Sequence, residues 1–501
     1  MANSELQSNP FVYQKVDAGA AQTYVKITHH NPESIKNTKP NEFGIQFIPF
    51  PYMCIRPAQS VISGDKLPKC KECGAYINRY NFCQGYNFKC PICQTSTQSH
   101  IPFEIDGNEF ISDVYEAYCS SQNMKRNAFE PTEYFFVSTS LLETHPNILD
   151  IIHDCFVSCY NQKQVAIAFL HGAITIVKFR NLLSFQTFAI ETPVARLPQL
   201  FIPTQQFMKH IPLLKRKASE LKFIENSNFP QNLSKYAVAA SKPFGTTVRF
   251  ILDDHGFHSF FEYTNELKKD ALEACRNGSQ FSLFAFTDKV SYRNPLFQYS
   301  SITGGHFKIF PNDIDGGKLR AEMMECLKTS VVHETYIVVR MPSFAEIIDC
   351  SGSGFLETHN TLIVPKIKVG DSFFFKFNAK QFNRPFIQFV VFFTSDIGIR
   401  KFRIVTVPIK NYPHENLMLQ SLFVASFAAQ KILVDEVDDI SPFLETMKQK
   451  YGEKACEKAK SLMNCDDYGK LFQRALEFRT PEKFGVPIQT QEDFSQVNYE
   501  V

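Results

Sequence analysis

The sequence predicts a multidomain chain that mixes α and β structure, and three observations carry that reading. Two C-x2-C pairs, Cys70/Cys73 and Cys90/Cys93, stand sixteen residues apart. Between Tyr134 and Ser330 strand-like apolar runs alternate with segments of helical spacing. From Glu334 to Ile409 strand follows strand, with turn residues between. A length of 501 residues predicts three to five domains, and 44 % hydrophobic against 21 % charged residues leaves ample material for their cores. Without Trp, 50 Phe carry the aromatic packing.

Taken in order, residues 1–20 are polar and expected to be loose. Residues 21–55 alternate as strands do, with "TYVKITHH" and "FGIQFIPF" as the two runs. The cysteine-rich piece occupies 56–100. Residues 101–130 form a connector, with a helix expected at Ile111–Ser121. The α/β unit covers 131–333. In it "YFFVSTSLL" reads as a buried strand, "HPNILDIIHDCFVSCY" as a helix, and "VAIAFLHGAITIVKF" as two strands around a His-Gly turn. "TTVRFILDD" and "FSLFAFTD" are strands separated by the helix-like "FHSFFEYTNELKKDALEACRNG", and "GGKLRAEMMECLKTS" is a further helix. Strands alternating with helices predict a mainly parallel sheet. Residues 334–410 hold five strand runs and predict an antiparallel unit. The two β portions, 21–55 and 334–410, are expected to form one domain split by insertion. Residues 411–480 are helical, with Leu422, Phe423, Phe427 and Ile432 on one face, and 481–501 form a loose tail.

Each C-x2-C pair makes a knuckle that directs two sulfurs at one ion, and the spacer suits a two-stranded excursion that brings the knuckles together. Four thiolates at about 2.3 Å close a tetrahedral zinc site with no open position, so the metal is structural. Cys83 is read as a thiol beside the site. A piece this small lacks a core of its own, and metal binding supplies the folding free energy.

Net charge is only +2, which argues against a surface that binds nucleic acid throughout. Residues 361–410, however, carry six Lys and three Arg against two Asp, while 411–501 carry ten basic and fifteen acidic residues. The basic portion either attracts an anionic surface or protects a sheet edge from aggregation. Lys366, Lys368, Arg400, Lys401 and Arg403 are the candidates for a membrane-facing surface. The N-terminus lacks a basic start and an apolar core, so no signal peptide is expected. The apolar runs are shorter than the ~20 residues of a membrane span, so a soluble chain is expected.

No catalytic constellation emerges. "CSGSG" at Cys350–Gly354 lacks Gly and Ser where a nucleophile elbow needs them and reads as a turn. There is no phosphate-binding G-x-x-x-x-G-K-[ST] and no H-E-x-x-H. "DDHGFH", Asp253–His258, reads as a helix-start loop with a capping Asp, and "TGG", Thr303–Gly305, as a turn.

The cysteine-rich text "CKECGAYINRYNFCQGYNFKCPIC" resembles that of the COPII inner-coat family, and further runs are similar in the same order. These are "VAIAFLHGAITIVKF", "LFIPT" (Leu200–Thr204), "ITGGHFKIF", and "FIQFVVFFTSDIGIRKFRIVTVPI" (Phe386–Ile409), in which Arg400, Lys401 and Arg403 stand for the family's basic residues. The resemblance covers residues 25–475. It implies a β-sandwich or barrel split by a zinc ribbon and a von Willebrand A-like trunk, followed by a helical domain. It further implies a non-enzymatic subunit that pairs with a partner inner-coat subunit, assembles with a Sar-type small GTPase on anionic endoplasmic reticulum membrane, binds cargo tails, and serves transport to the Golgi. The family's gelsolin-like portion, which supplies the arginine finger of the GTPase-activating subunit, has no counterpart here, so the cargo-adaptor subunit is the expected role. "FVSTS" (Phe136–Ser140) lacks the Asp of a D-x-S-x-S metal site, so no metal is expected there. Cargo-contact residues lie outside the matched motifs. The alternatives are a GTPase-activating coat subunit and a zinc-ribbon nucleic-acid-binding protein. Few aromatics in the ribbon are arranged to stack on bases, and no nucleic-acid partner is expected.

Overall fold

The computed structural model describes residues 25–29, 42–50, 58–63, 67–103, 113–119, 132–159, 164–179, 182–188, 202–222, 235, 238–239, 247–254, 264–288, 295–328, 332–343, 345–379, 386–395, 398–409, 417–435, 439–463 and 475. The expectations for 1–20, 481–501 and His255–His258 fall outside them.

Alternation of apolar and polar residues builds a two-layer β-sandwich from both ends of the sequence. One layer has four strands in the order Val25–His29, Glu42–Phe47, Phe373–Ala379, Ala345–Ser351. The other has seven, ordered Phe355–Thr358, Thr361–Ile367, Val332–Arg340, Phe386–Ser395, Arg400–Pro408, Val114–Tyr118, Ala58–Ser63. Phe43 pairs with Phe377 and Phe47 with Phe373, partners far apart in the chain, so the β domain is split by insertion. Phe47 stacks on Phe389 of the facing layer at 4.2 Å between ring centroids, and Phe43, Phe375, Phe377 and Val391 fill the same interior.

Two expectations are corrected in this sheet. Residues Ile111–Ser121 were expected to be helical, yet Val114–Tyr118 is a strand between Arg400–Pro408 and Ala58–Ser63. Its β-branched and aromatic residues fit a pleated surface, and Val114 and Tyr115 are fully buried there. Ala58–Ser63, expected within the cysteine-rich piece, belongs to this sheet as well.

The insertion's larger part is an α/β trunk. Five parallel strands run in the order Gln164–Leu170, Thr132–Ser138, Thr247–Leu252, Gln280–Phe286, Phe307–Phe310. The antiparallel strands Ile174–Phe179 and Leu183–Phe188 extend one edge. Helices Ile148–Cys159, Thr204–Glu220 and Gly316–Lys328 cover one face of this sheet through Ile152, Leu214 and Leu319. Helices Thr264–Arg276 and Pro295–Ile302 cover the other. Buried strands of this kind read as continuous apolar runs, which is why "YFFVSTSLL" looked like one strand. The strand ends at Ser138, and Thr139–Thr144 turns into a short helix. The Thr303–Gly305 turn brings the chain so close to the neighbouring strand that a Cβ on Gly305 would lie 1.4 Å from the Phe281 carbonyl oxygen.

Three helices follow the sandwich, Leu417–Asp435, Ser441–Tyr451 and Glu453–Met463. Leu422, Phe423, Phe427 and Ile432 join the core on the trunk's second face, and Ser426 bonds the Ser351 hydroxyl at 2.7 Å. Trunk, sandwich and helices therefore share packing. A buried ion pair ties trunk to sandwich: the Glu133 carboxylate accepts from Arg249 Nε at 2.7 Å and lies 3.9 Å from Lys366 Nζ. Glu133 and Arg249 are 1 % and 0 % exposed. Glu133→Ala leaves that guanidinium buried without its counter-charge, and should lower stability by about 3–5 kcal/mol, read as a fall in the urea midpoint.

Candidate metal centre and its dock

The four cysteines of the two knuckles converge. Cys70 Sγ lies 3.3 Å from Cys93 Sγ and Cys73 Sγ 3.6 Å from Cys90 Sγ. All four sulfurs fall within 4.8 Å of one another. Tetrahedral bonds of about 2.3 Å place sulfurs about 3.8 Å apart, so the cluster fits one zinc ion.

Local backbone geometry produces this convergence. In the first knuckle the Gly74 amide donates to the Cys70 carbonyl at 2.9 Å and the Cys70 amide to Ala75 at 2.8 Å. The second repeats the pattern, with Gln94 donating to Cys90 at 2.8 Å and Cys90 to Thr95 at 3.0 Å. Each knuckle turns on a residue with positive φ, Gly74 at 68° and Gln94 at 64°. Glycine suits that position, whereas an L side chain there costs about 1–2 kcal/mol; Gln94 is anchored in it by its own Nε2, which donates to the Pro91 carbonyl at 3.0 Å.

The sulfurs behave as a linked set. Burial pushes the Cys70 thiol up, and the hydrogen bond to Cys90 together with burial pushes Cys73 up. That same bond, donated by Cys73, holds Cys90 down at about 5. A metal ion that binds this cluster takes up thiolates, so its binding releases protons. Cys83 stands outside the set: its thiol faces the Asn81 carbonyl at 3.8 Å, and burial pushes it up to about 11. The ribbon's own core is small, comprising Ala75, Phe88 and Ile92 beside Cys70 and Cys90. The expected two-stranded excursion is the antiparallel pair Phe82–Lys89 and Ser96–Phe103.

The ribbon is pinned to the outer face of the seven-stranded sheet by a polar clamp inside an apolar contact. Gln388, fully buried, accepts from the Tyr76 amide at 2.8 Å and donates to the Tyr76 carbonyl at 2.9 Å and to Thr406 Oγ1 at 2.9 Å. The Tyr115 hydroxyl donates to the Ile77 carbonyl at 2.6 Å. Around them Tyr76 stacks on Phe402 at 4.9 Å and Tyr80 meets Phe386 at 4.8 Å. Gln388 lies in the Phe386–Ile409 run, but nothing in sequence spacing marks it as a clamp, because its partners are the backbone atoms of a residue 312 positions away.

The five basic candidates separate. Arg403 is 5 % exposed and donates to Glu116 from Nε at 3.0 Å and Nη2 at 2.5 Å, and to the Pro49 carbonyl from Nη1 at 2.6 Å. Lys366 is 4 % exposed, beside Glu133 and Thr247. Charges so placed are neutralised inside the protein, and the expectation that Arg403 and Lys366 face a membrane is withdrawn. Glu116, the acid that holds Arg403, lies in the segment expected to be helical. Lys368, Arg400 and Lys401 are half-buried. Lys368 Nζ lies 3.4 Å from His306 Nδ1, Arg400 donates to the Glu334 carbonyl at 2.7 Å, and Lys401 lies 3.6 Å from Glu116.

At the other candidate loops, Cys350–Gly354 joins two strands as a turn. Ser138 and Ser140 of "FVSTS" bond each other at 2.8 Å, and Ser140 donates to Asp253. No helix among the described residues is long and apolar enough to cross a membrane.

The sequence matches no family model and is similar to no curated protein. Among solved structures, the chain is similar to the human COPII-coat protein Sec24c, at a TM-score of 0.73 and 13 % identity over 91 % of this chain and 75 % of that one. A von Willebrand factor type A structure from Catenulispora acidiphila also matches, at a TM-score of 0.39 and 7 % identity over 70 % of this chain and 89 % of that one.

Gln388→Ala would leave the buried Tyr76 amide without its acceptor, while the Tyr76 carbonyl keeps the Asn78 Nδ2 donor at 3.2 Å. For one buried group left unmatched, it should weaken ribbon docking by about 1–3 kcal/mol. The check is hydrogen exchange, which should speed up in residues 67–100 while the trunk strands keep their protection. At 13 % identity it is architecture that is shared: this chain has the fold of the COPII-coat protein Sec24c.

Proposed function

We propose that this chain is a non-enzymatic subunit of the COPII inner coat, the cargo-adaptor type, with Zn2+ held by Cys70, Cys73, Cys90 and Cys93 as a structural cofactor. The observation that carries the reading is the fold: the likeness to Sec24c runs through 91 % of the chain, across ribbon, trunk, sandwich and helices together. The four convergent sulfurs support the metal, and a site closed by four protein ligands holds structure rather than activating water. In this reading the protein works on the cytoplasmic side of the endoplasmic reticulum membrane and on transport vesicles bound for the Golgi. It pairs with a partner inner-coat subunit, joins a Sar-type small GTPase and takes up cargo tails. Lys368, Arg400 and Lys401, whose side chains are partly exposed, remain its candidate contacts with anionic lipid.

Flotation with vesicles containing phosphatidylserine, a Sar-type GTPase and the partner subunit tests it. The chain should float with the GTP-loaded GTPase and the partner, and remain in solution with the GDP form. Flotation indifferent to the nucleotide, or failure to join the partner, contradicts the proposal. Stimulated GTP hydrolysis by this chain alone would favour the GTPase-activating alternative.

A further inference from the structure

Three cations converge where the trunk meets the sandwich, at the start of the trunk's parallel strands. Arg249 is fully buried and its Nε is bonded to Glu133, yet its Nη1 and Nη2 are buried without a hydrogen-bond partner. Strand register places the neighbours. Thr247 precedes Arg249 by two residues, on the same side of its strand, and is the register partner of Glu133. Ser282 is the register partner of Arg249 on the next strand, and its hydroxyl accepts from the His306 amide at 3.1 Å. From the sandwich, Lys366 Nζ lies 3.5 Å from Thr247 Oγ1 and 3.9 Å from Glu133, and Lys368 Nζ lies 3.4 Å from His306 Nδ1. Lys366 is buried, whereas His306 and Lys368 are half-buried, so the group reaches solvent on their side. Burial first, then the charges of Lys368, Arg249, Lys366 and Lys308, hold the His306 ring well below its ordinary pKa. Asp371 accepts from the Lys368 amide at 2.8 Å, and Lys308 pairs with Glu322 at 2.8 Å. Glu133 is the carboxylate that Arg249 and Lys366 share.

We propose that this cluster binds a phosphate monoester, with the phosphate group held between the Arg249 Nη atoms, Lys366, Lys368 and His306. This goes beyond the coat reading and does not depend on it. Buried polar groups in folded proteins are almost always hydrogen-bonded, so two buried guanidinium nitrogens without an acceptor point to a ligand that supplies one. Glu133 takes the Nε edge of the guanidinium. The Nη edge is a fork that matches two phosphate oxygens at once. The His306 ring is neutral and its Nδ1 faces the Lys368 ammonium, which has only protons to give. The ring proton therefore stands on Nε2, a further donor. A phosphate monoester carries three terminal oxygens and a charge approaching −2, which suits a set of several cations and donors. A phosphodiester has fewer free oxygens and a single charge, and fits the set less well. Arg249 and His306 belong to the trunk, Lys366 and Lys368 to the sandwich, so the ligand would also join the two.

The test is isothermal titration calorimetry of the full zinc-loaded chain with inorganic phosphate, with dimethyl phosphate as the diester and phosphatidic acid vesicles as parallel arms. Inorganic phosphate should bind saturably and raise the melting temperature as its concentration rises, whereas sodium chloride at equal ionic strength should not. Lys368→Ala removes a charged hydrogen-bond donor and should weaken binding about tenfold or more. Lys401→Ala, outside the cluster, should leave it unchanged. Arg249→Lys keeps the charge but loses the fork and should weaken it as well; circular dichroism checks its folding, and Lys368→Ala, at a half-buried position, decides alone if that variant does not fold. Retention on phosphatidic acid vesicles that inorganic phosphate displaces identifies the ligand as a lipid headgroup. Phosphate binding without such retention identifies a soluble ester, and either outcome supports the proposal. Absence of saturable phosphate binding overturns it, as does binding unchanged by Lys368→Ala, or dimethyl phosphate binding as tightly as phosphate.

Discussion

Four sulfurs drawn to within 4.8 Å of one another are the constraint on which the ribbon and its dock depend. With only Ala75, Phe88 and Ile92 packed beside the cysteines, the ribbon has too little apolar material to hold its own shape. An ion bound by the four sulfurs would fix the two knuckles and, through them, the Tyr76–Ile77 segment, which presents an amide and two carbonyls to Gln388 and Tyr115.

The rest of the molecule follows the same logic of long-range closure. The sandwich exists because residues 42–47 return to pair with 373–378. The ribbon and trunk are excursions from it, and each is tied back by buried polar contacts: Gln388 to the ribbon, and Glu133 with Arg249 and Lys366 to the trunk. The helical portion is held by apolar packing on the trunk's second face and by Ser351 with Ser426. Such an architecture presents several surfaces in fixed relation, which suits a protein whose proposed work is to hold partners together.

Elements with a strong local period were legible in the sequence. The Ile148–Cys159 helix, the hairpin around His171, the parallel trunk strands and the metal knuckles all follow from spacing that one segment carries by itself. What escaped was decided elsewhere in the chain. Val114–Tyr118 is a strand because a sheet edge of Arg400–Pro408 was there to receive it. Lys366 and Arg403 counted as surface charge until Glu133 and Glu116, each far off in sequence, buried them. The "FVSTS" run splits at Ser138, where the strand ends and a short helix begins, and Ser140 then bonds Asp253, just past the end of a neighbouring strand.

X-ray absorption at the zinc edge of the purified chain tests the central claim most directly. The account predicts one zinc per chain with four sulfur neighbours at about 2.3 Å. Zinc well below one equivalent, or a shell containing nitrogen or oxygen ligands, would contradict it.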